Sequence, residues 1–292
     1  MQELSANFME HSLTLQQMTE ARLLNIQLLK DCAERVMQST IQFFFFDSKS
    51  KYPAAGNGVL CEINDRYFVF TAAHVFTDHH QEIYVISNQK AISLGGIFYT
   101  TPLPNSGDRA DDKIDLAIIA IDNSAVTLLK AEYIFISLVD LELGHFVDVE
   151  TNYLIAGHPI TRTKKVWNNR ALKSQAFVAN LDALIRFNYE KFKFKFESHI
   201  AMDYAGEIIS LKNHYSHLAP KLVGISGSGL WYLRKDTKEG IFESRLIGIV
   251  IEQIKENGNK AVIATRIDII VLFLNKLLNL DIPIPKKINK YQ

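Results

Sequence analysis

Apolar runs separated by short polar or glycine-containing segments extend along most of the chain. The runs at residues 40–46, 67–75, 114–121, 246–250 and 259–266 are each short and strongly apolar. Short apolar runs bounded by turn signals are typical of buried β-strands. The pattern therefore predicts a protein made mainly of β-sheet, with neither an internal repeat nor a low-complexity linker.

Two segments instead have the apolar spacing of helices. Residues 12–38 place their apolar side chains largely on one face, with charged residues elsewhere. Residues 267–280 predict a helix after the last strand, and a basic tail follows at 281–292. We interpret the first helix as packing on the surface of the β-structure. The alternative is that it docks to a regulatory protein partner or inhibits the protein itself.

The segment from Lys191 to Phe196 alternates lysine with phenylalanine. Such a period of two predicts a half-exposed strand. Alternating basic and aromatic residues can also bind single-stranded nucleic acid. However, the chain has 32 Lys and Arg against 32 Asp and Glu, so its formal net charge is zero. One such strand in a neutral chain gives little reason to expect a nucleic-acid partner, and we expect none.

Candidate chemistry lies in three short segments that are far apart in sequence. Thr-Ala-Ala-His ends at His74, Asp-Leu-Ala begins at Asp115, and Gly-Ile-Ser-Gly-Ser-Gly has its first serine at Ser226. A serine hydroxyl is a weak nucleophile at neutral pH and needs an imidazole base that a carboxylate orients. The surrounding glycines leave room for a substrate, and the amides of Gly224 and Ser226 could converge as an oxyanion hole.

These three segments resemble the histidine, aspartate and serine motifs of the trypsin/chymotrypsin-like serine proteases, specifically of their bacterial branch. The resemblance covers residues 40–278. It implies an all-β fold of two six-stranded antiparallel β-barrels and a serine endopeptidase that forms an acyl-enzyme intermediate. Ser226 would be the nucleophile, His74 the general base and Asp115 the residue that orients His74. The substrate would be a protein or peptide, and no metal or organic cofactor is required.

The resemblance also predicts how the chain is divided. The N-terminal helical extension would end at residue 39, and the protease domain would follow. We expect the following boundaries: extension 1–39, protease domain 40–280, first barrel about 40–145, second barrel about 150–265, C-terminal helix about 267–280 and tail 281–292.

The substrate pocket departs from the family pattern. The positions that the resemblance assigns to substrate binding are Pro220, Val250, Ile251, Glu252 and Gln253. The family usually keeps small residues at the last three of these positions. Their bulk here would narrow the pocket, or Glu252 would recruit a basic side chain, and the sequence leaves both possibilities open.

The residue before the nucleophile is a second departure. Digestive members have an aspartate there, which pairs with a new N-terminus after the zymogen is cleaved. In this chain the position is Ile225. We therefore expect no activation by that ion pair.

Composition sets the expected surroundings. With 292 residues, of which 48% are hydrophobic, the chain can bury a substantial core. Its two cysteines, Cys32 and Cys61, fit a reducing compartment. The N-terminus lacks the pattern of a signal peptide, and no apolar stretch is long enough to span a membrane. We expect a cytoplasmic bacterial protein without a membrane partner, gated by a partner or a signal, as in a stress or antiphage-defence effector.

Other candidate acids, bases and metal ligands are expected to be structural. Asp111 and Asp112 lie in a polar loop and are interpreted as solvated. His158 is interpreted as a turn residue, because most lone histidines are not catalytic. His214 and His217 lack the additional ligands of a zinc site, so no metal site is expected.

Two alternatives to a protease remain at the sequence level. A catalytically idle barrel could bind peptides or partner proteins, and the bulky residues at 251–253 keep this hypothesis open. An esterase or acyltransferase of the α/β-hydrolase type is disfavoured by chain order. Those enzymes place serine first, then the acid, then histidine, and need glycine two residues after the nucleophile. Here that residue is Ser228.

Overall fold

A computed structural model of the protein describes most of the chain beyond the N-terminal segment. The described residues are 27, 30–45, 54–76, 83–87, 90–160, 163–166, 171–174, 177–204, 207–209, 216–218, 221–235, 242–256 and 259–285.

Seven antiparallel strands from the first half of the chain form one sheet, here called the first sheet. The strands are β1 (Thr40–Phe45), β2 (Ala54–Ile63), β3 (Arg66–Ala72), β4 (Ile83–Ser87), β5 (Lys90–Ser93), β6 (Ile97–Thr100) and β7 (Leu116–Ala120). Their order is β5-β4-β1-β2-β3-β7-β6. The central strands β1, β2, β3 and β7 are almost entirely buried, as their apolar runs predict.

The second half forms a closed barrel of six strands, here called the closed barrel. Its strands are β8 (Asn152–Gly157), β11 (Phe177–Ala183), β12 (His199–Asp203), β15 (Gly229–Lys235), β16 (Phe242–Glu256) and β17 (Asn259–Arg266). They close in the order β11-β12-β17-β16-β15-β8. Two short hairpins are inserted: β9 (Thr163–Val166) with β10 (Ala171–Ser174), and β13 (Glu207–Ile209) with β14 (Ser216–Leu218).

The all-β fold class with two antiparallel β units is confirmed. The first unit differs in detail from the expected six-stranded barrel, since its described strands form a seven-stranded sheet with two edges. The edge strands β5 and β6 are four residues long and largely exposed. Short edge strands limit pairing with a further strand, so the first sheet ends at them.

The apolar core crosses the boundary between the two β units. One cluster joins Phe70 of β3 to Trp231 and Leu246 of the closed barrel, all at most 1% exposed. A second cluster joins Phe43 of β1 to Ile263 of β17. A third fills the interior of the closed barrel. Burial of this shared apolar surface holds the first sheet against the closed barrel.

Three α-helices complete the fold of the described residues: α1 at residues 30–38, α2 at Asn123–Leu129 and α3 at Ile267–Leu278. The predicted helix at 12–38 is confirmed at its described end, where Val36 joins the core cluster and Arg35 pairs with Asp140 at 2.8 Å. This end therefore packs on the protein's own core. The predicted C-terminal helix is also confirmed, and it ends before Asn279, which has a left-handed φ of +52°.

Within the described ranges, no helix is both long enough and apolar enough to cross a membrane. Cys32 and Cys61 are both buried and free.

The predicted strand at Lys191–Phe196 is wrong. Residues Glu190–Phe192 form a 3-10 helix, and Lys193 follows with a left-handed φ of +61°. This reversal sends Phe194 into the core, where its ring lies 4.8 Å from that of His199, and leaves Phe196 42% exposed. In a compact turn, successive side chains can also alternate between the core and the solvent. A period-two sequence pattern therefore cannot distinguish such a turn from a strand.

Helix α3 allows a direct measurement of how much its core packing contributes. Leu274 is fully buried, whereas Leu272 on the same helix is 47% exposed. We expect Leu274→Ala to lower the free energy of unfolding by about 2–5 kcal/mol, because it removes buried methyl groups and leaves a cavity. Leu272→Ala should change it by less than about 0.5 kcal/mol. Urea titration measures both, and similar losses would contradict this packing.

Candidate active site

His74 and Asp115 lie together at one end of two neighbouring strands. His74 is in the 3-10 helix Ala73–Phe76 directly after β3, and Asp115 directly precedes β7. Because β3 and β7 are antiparallel, with Ala72 opposite Leu116, the end of one strand meets the start of the other. This pairing brings together two residues that are 41 positions apart in sequence.

Both carboxylate oxygens of Asp115 accept hydrogen bonds from His74. The distance from His74 Nδ1 to Asp115 Oδ2 is 2.5 Å, and His74 N–H donates to Oδ1 at 2.8 Å. An ionised carboxylate only accepts, so the imidazole proton is on Nδ1. The other ring nitrogen, Nε2, is then the basic one. The imidazole side chain is 39% exposed, so a substrate can approach it.

The segment before Asp115 is anchored to the closed barrel. His199 Nε2 donates to the carbonyl of Lys113 at 2.6 Å, and Thr265 Oγ1 donates to the carbonyl of Ile114 at 2.7 Å. Asp115 has a left-handed φ of +46°, a conformation that aspartate tolerates better than most residues. Both β units therefore fix the position of this carboxylate.

The pKa values of the pair reflect burial and mutual attraction. Burial alone lowers the pKa of His74, but the hydrogen bond to Asp115 and the negative charges of Asp115 and Glu252 raise it, and the net shift is upward. Burial raises the pKa of Asp115, partly offset by its bonds to His74. The imidazolium form of His74 is thus stabilised, which favours the proton transfer that a general base must accept.

Ser226 lies in a tight turn at residues 224–228, here called the serine turn. Gly224 and Gly227 have left-handed φ values of +76° and +83°. A side chain at Gly227 would collide with the carbonyl of Asn57, and one at Gly224 with Ile160. The turn is tied to β16 because Gly227 N–H donates to the carbonyl of Val250 at 2.8 Å. Only glycine fits both positions.

Two backbone amides of the serine turn have no acceptor among the described residues. Within the described part of the chain, the N–H groups of Gly224 and Ser226 make no hydrogen bond, whereas Ile225 N–H donates to Leu222. Gly224 and Ser226 are half-buried. Free amides two residues apart on a tight turn are suited to binding a negatively charged oxygen.

Asn57 is the residue that the sequence analysis missed. It lies on β2, is fully buried, and its N–H donates to the carbonyl of Ser226 at 2.8 Å. Its side-chain Nδ2 donates to the carbonyl of Gly224 at 2.7 Å, and its Oδ1 accepts from His158 N–H at 2.7 Å. The signal was an amide between Gly56 and Gly58, directly before the apolar run at residues 59–61.

The histidine segment and the serine turn meet at β2. A side chain at Gly56 would lie 2.7 Å from Cγ2 of Val75, the neighbour of His74, and 3.1 Å from the carbonyl oxygen of Ser226. Gly56 therefore lies between the histidine segment and the serine turn. Among the described residues, however, no hydrogen bond joins Ser226 Oγ to His74. In structures without substrate, catalytic hydrogen bonds of this kind are often long and tighten only in the complex.

The predicted substrate-binding positions on β16 divide by exposure. Val250 and Ile251 are buried, while Glu252 and Gln253 are exposed. The pairing of β16 with β17 shifts register at Ile251, between Val250 and Glu252. Glu252 Oε2 lies 3.5 Å from Lys113 Nζ. Pro220 lies outside the described residues.

The predicted solvation of Asp112 is wrong. Its side chain is only 9% exposed, Arg109 Nη1 lies 2.8 Å from its Oδ2, and Thr101 Oγ1 donates to the same oxygen. The guanidinium and hydroxyl replace water around the carboxylate. Asp111 is exposed, as expected.

His158 lies in the turn after β8, as expected, and burial lowers its pKa to about 4. His214 lies outside the described residues, and for His217 only the backbone is described. In the described ranges, no group of three or more His, Cys, Asp or Glu side chains is arranged to hold a metal ion.

The sequence matches no family model and no curated protein. Among solved structures, the chain is similar to kallikrein-related peptidase 10 in complex with Zn²⁺. The TM-score is 0.49, with 14% sequence identity, over 85% of this chain and 98% of that chain. A similarity this weak adds nothing to the chemistry of the site, which rests on the geometry above.

The His74–Asp115 pair can be tested without any assay of activity. We expect the imidazole of His74 to titrate above the ordinary pKa of 6.5, and Asp115→Asn to lower its pKa, because the raising charge is lost while burial remains. NMR titration of the histidine ring protons measures this, with His74→Gln to assign the signal. His145 is a control, since burial lowers its pKa to about 4. A pKa unchanged in Asp115→Asn would contradict the pairing.

Proposed function

We propose that the protein is a serine endopeptidase. The observation that carries the proposal is the His74–Asp115 pair, with its 2.5 Å contact and exposed imidazole. Beside it lies a serine turn with two amides that have no acceptor among the described residues. A buried carboxylate bonded to Nδ1 leaves Nε2 as the base, which is the arrangement that activates a serine nucleophile. The resemblance of the three sequence motifs to those of trypsin-like proteases supports the same conclusion.

In the proposed mechanism, Ser226 Oγ attacks the carbonyl carbon of the scissile peptide bond, and His74 Nε2 takes the hydroxyl proton. The negative charge that develops on the carbonyl oxygen is bound by the amides of Gly224 and Ser226. The C–N bond then breaks as His74 returns the proton to the leaving amine. Water attacks the resulting ester by the same route and restores the free serine.

Asp115 has two roles in this mechanism. It holds the imidazole in the tautomer with the proton on Nδ1, and it stabilises the imidazolium that forms at each step. In a serine-protease triad, replacing this aspartate by asparagine lowers kcat by about four orders of magnitude. The bonds from both oxygens of Asp115 to His74 support this assignment.

A second candidate function is a peptide-binding module without catalysis. It is favoured by the missing hydrogen bond between Ser226 and His74 among the described residues. The bulky Ile251, Glu252 and Gln253, at positions where the family usually keeps small residues, favour it as well. The labelling experiment below separates the two functions, because only an activated serine reacts with the probe.

The cellular setting stays a prediction. A bacterial cytoplasmic location, a role in stress response or antiphage defence, and gating by a partner through residues 1–39 follow from the sequence-level expectations alone. Deleting all of 1–39 is a poor test of gating, because Cys32 and Val36 belong to the core.

The nucleophile is tested by labelling with a fluorophosphonate probe, in which Ser226 Oγ bonds to phosphorus and fluoride leaves. We expect the wild-type protein to be labelled, Ser226→Ala to abolish labelling, and His74→Ala to slow it by about three orders of magnitude or more.

Ser228→Ala is the matched control. Ser228 is in the same turn, but its Oγ is buried and makes no hydrogen bond among the described residues, so its loss should change labelling by less than about twofold. An unlabelled wild-type protein would exclude an activated serine and favour the binding module. Equal losses in Ser226→Ala and Ser228→Ala would show that labelling reports folding instead.

The charge of Glu252 should affect the pH profile of labelling. His74 must be neutral to act as a base, so the rate falls as pH drops through its pKa. Glu252 raises that pKa, and Glu252→Gln should therefore move the acid limb to lower pH. Glu243→Gln is the control, since Glu243 is on the same strand and is also paired, with Arg245. An acid limb that moves equally in both variants, or upward in Glu252→Gln, would contradict the assignment.

A further inference from the structure

Asn57 makes an unusual set of hydrogen bonds for a residue in the middle of a strand. Its backbone N–H reaches Ser226, its side-chain Nδ2 reaches Gly224, and its Oδ1 and Nδ2 contact the backbone N–H and carbonyl of His158 at 2.7 and 3.4 Å. Its own carbonyl accepts from Thr71 Oγ1 at 2.6 Å. A buried amide that is satisfied on every side adopts one orientation only.

The bond to Gly224 acts on the serine turn directly. Fixing the carbonyl of Gly224 fixes the plane of the peptide between Gly224 and Ile225, because a peptide unit is rigid. That plane lies between the two free amides, those of Gly224 and Ser226. Since Gly224 has a left-handed φ and little intrinsic preference, an external hydrogen bond is needed to keep this turn in one conformation.

The side chain of Ile225 anchors the serine turn by apolar packing and not by charge. This side chain is 3% exposed and belongs to the apolar core of the closed barrel. Hydrogen bonds from both β units hold the serine turn. Gly227 N–H donates to the carbonyl of Val250 on β16. Asn57 of the first sheet donates to the carbonyls of Gly224 and Ser226. Gly227 adds to this anchoring, because its Cα lies so close to the Asn57 carbonyl that any side chain would collide.

We propose that Asn57 is a positioning residue that holds the serine turn, with the amides of Gly224 and Ser226 aligned, in the chain as it is synthesised. The buried amide on β2 sets the oxyanion-binding conformation through the Gly224 carbonyl, and no cleavage of the chain is needed for it. This inference rests on the proposed function for its catalytic consequence. Its structural part, the anchoring of the turn, is independent of activity.

Two variants separate the hydrogen bond from packing. Asn57→Leu keeps the approximate size and removes all side-chain polarity. Asn57→Asp keeps the acceptor for His158 N–H but removes the donor to the Gly224 carbonyl. Gln42→Met is the matched control, because Gln42 lies directly opposite Asn57 in the β1–β2 pairing and its buried amide also donates to His158, at 3.2 Å.

The first measurement is the rate of fluorophosphonate labelling as a function of probe concentration. We expect the maximal rate to fall roughly ten- to a hundredfold in Asn57→Leu and Asn57→Asp, because a small displacement of the oxyanion donors is costly. The probe concentration at half-maximal rate should stay within about twofold. Gln42→Met should change the maximal rate by less than about twofold.

The second measurement is amide hydrogen exchange over residues 221–229, which needs no activity. We expect faster exchange there in both Asn57 variants than in Gln42→Met, with thermal unfolding midpoints recorded to compare folding. If Asn57→Asp matches the wild type in both measurements, or if Gln42→Met has equal effects, the inference is overturned. If the wild type does not react with the probe but exchange still rises in the Asn57 variants, the proposed function fails and the anchoring stands.

Discussion

The carboxylate of Asp115 is buried, and a buried carboxylate is stable only where hydrogen-bond donors replace the water it has lost. His74 supplies two of these donors from the end of β3. The backbone leading to Asp115 is held by His199 and Thr265 of the closed barrel. The buried charge of Asp115 is therefore satisfied only when the first sheet has formed and the closed barrel packs against it.

The same dependence on both β units applies to the serine turn. The turn belongs to the closed barrel by sequence and by its bond to β16, but its carbonyls accept hydrogen bonds from Asn57 of the first sheet. Hydrophobic packing brings the two units together without direction, as the shared core clusters show. The directional bonds from Asn57, His199 and Thr265 then fix one relative position. In general, buried polar groups whose hydrogen bonds are all satisfied specify a unique arrangement of elements that apolar packing has brought together.

Much of the strand pattern could be predicted because buried strands leave an unambiguous signal. The runs at Thr40 and Asn259 start strands at the predicted residues, and the candidate His, Asp and Ser were identified from their neighbours. Lys191–Phe196 failed because alternation describes exposure, not backbone direction, and the left-handed Lys193 reverses the chain. The predicted solvation of Asp112 was wrong because only the folded loop places Arg109 against its carboxylate. Asn57 was missed because its partners at the serine turn and at His158 are about 100 or more residues away in sequence.

Anchoring of the serine turn by an internal amide has a consequence for control. A turn held by a charge pair with a newly formed N-terminus can be switched by cleavage, because one member of the pair is absent beforehand. Asn57 is present in the chain from the start, and its bonds form with the fold itself. Control of such a site would then have to act on the distance between Ser226 and His74 or on access past Glu252 and Gln253. The side chains of His74, Glu252 and Gln253 are exposed. A molecule bound at the site can therefore contact them without disturbing the core.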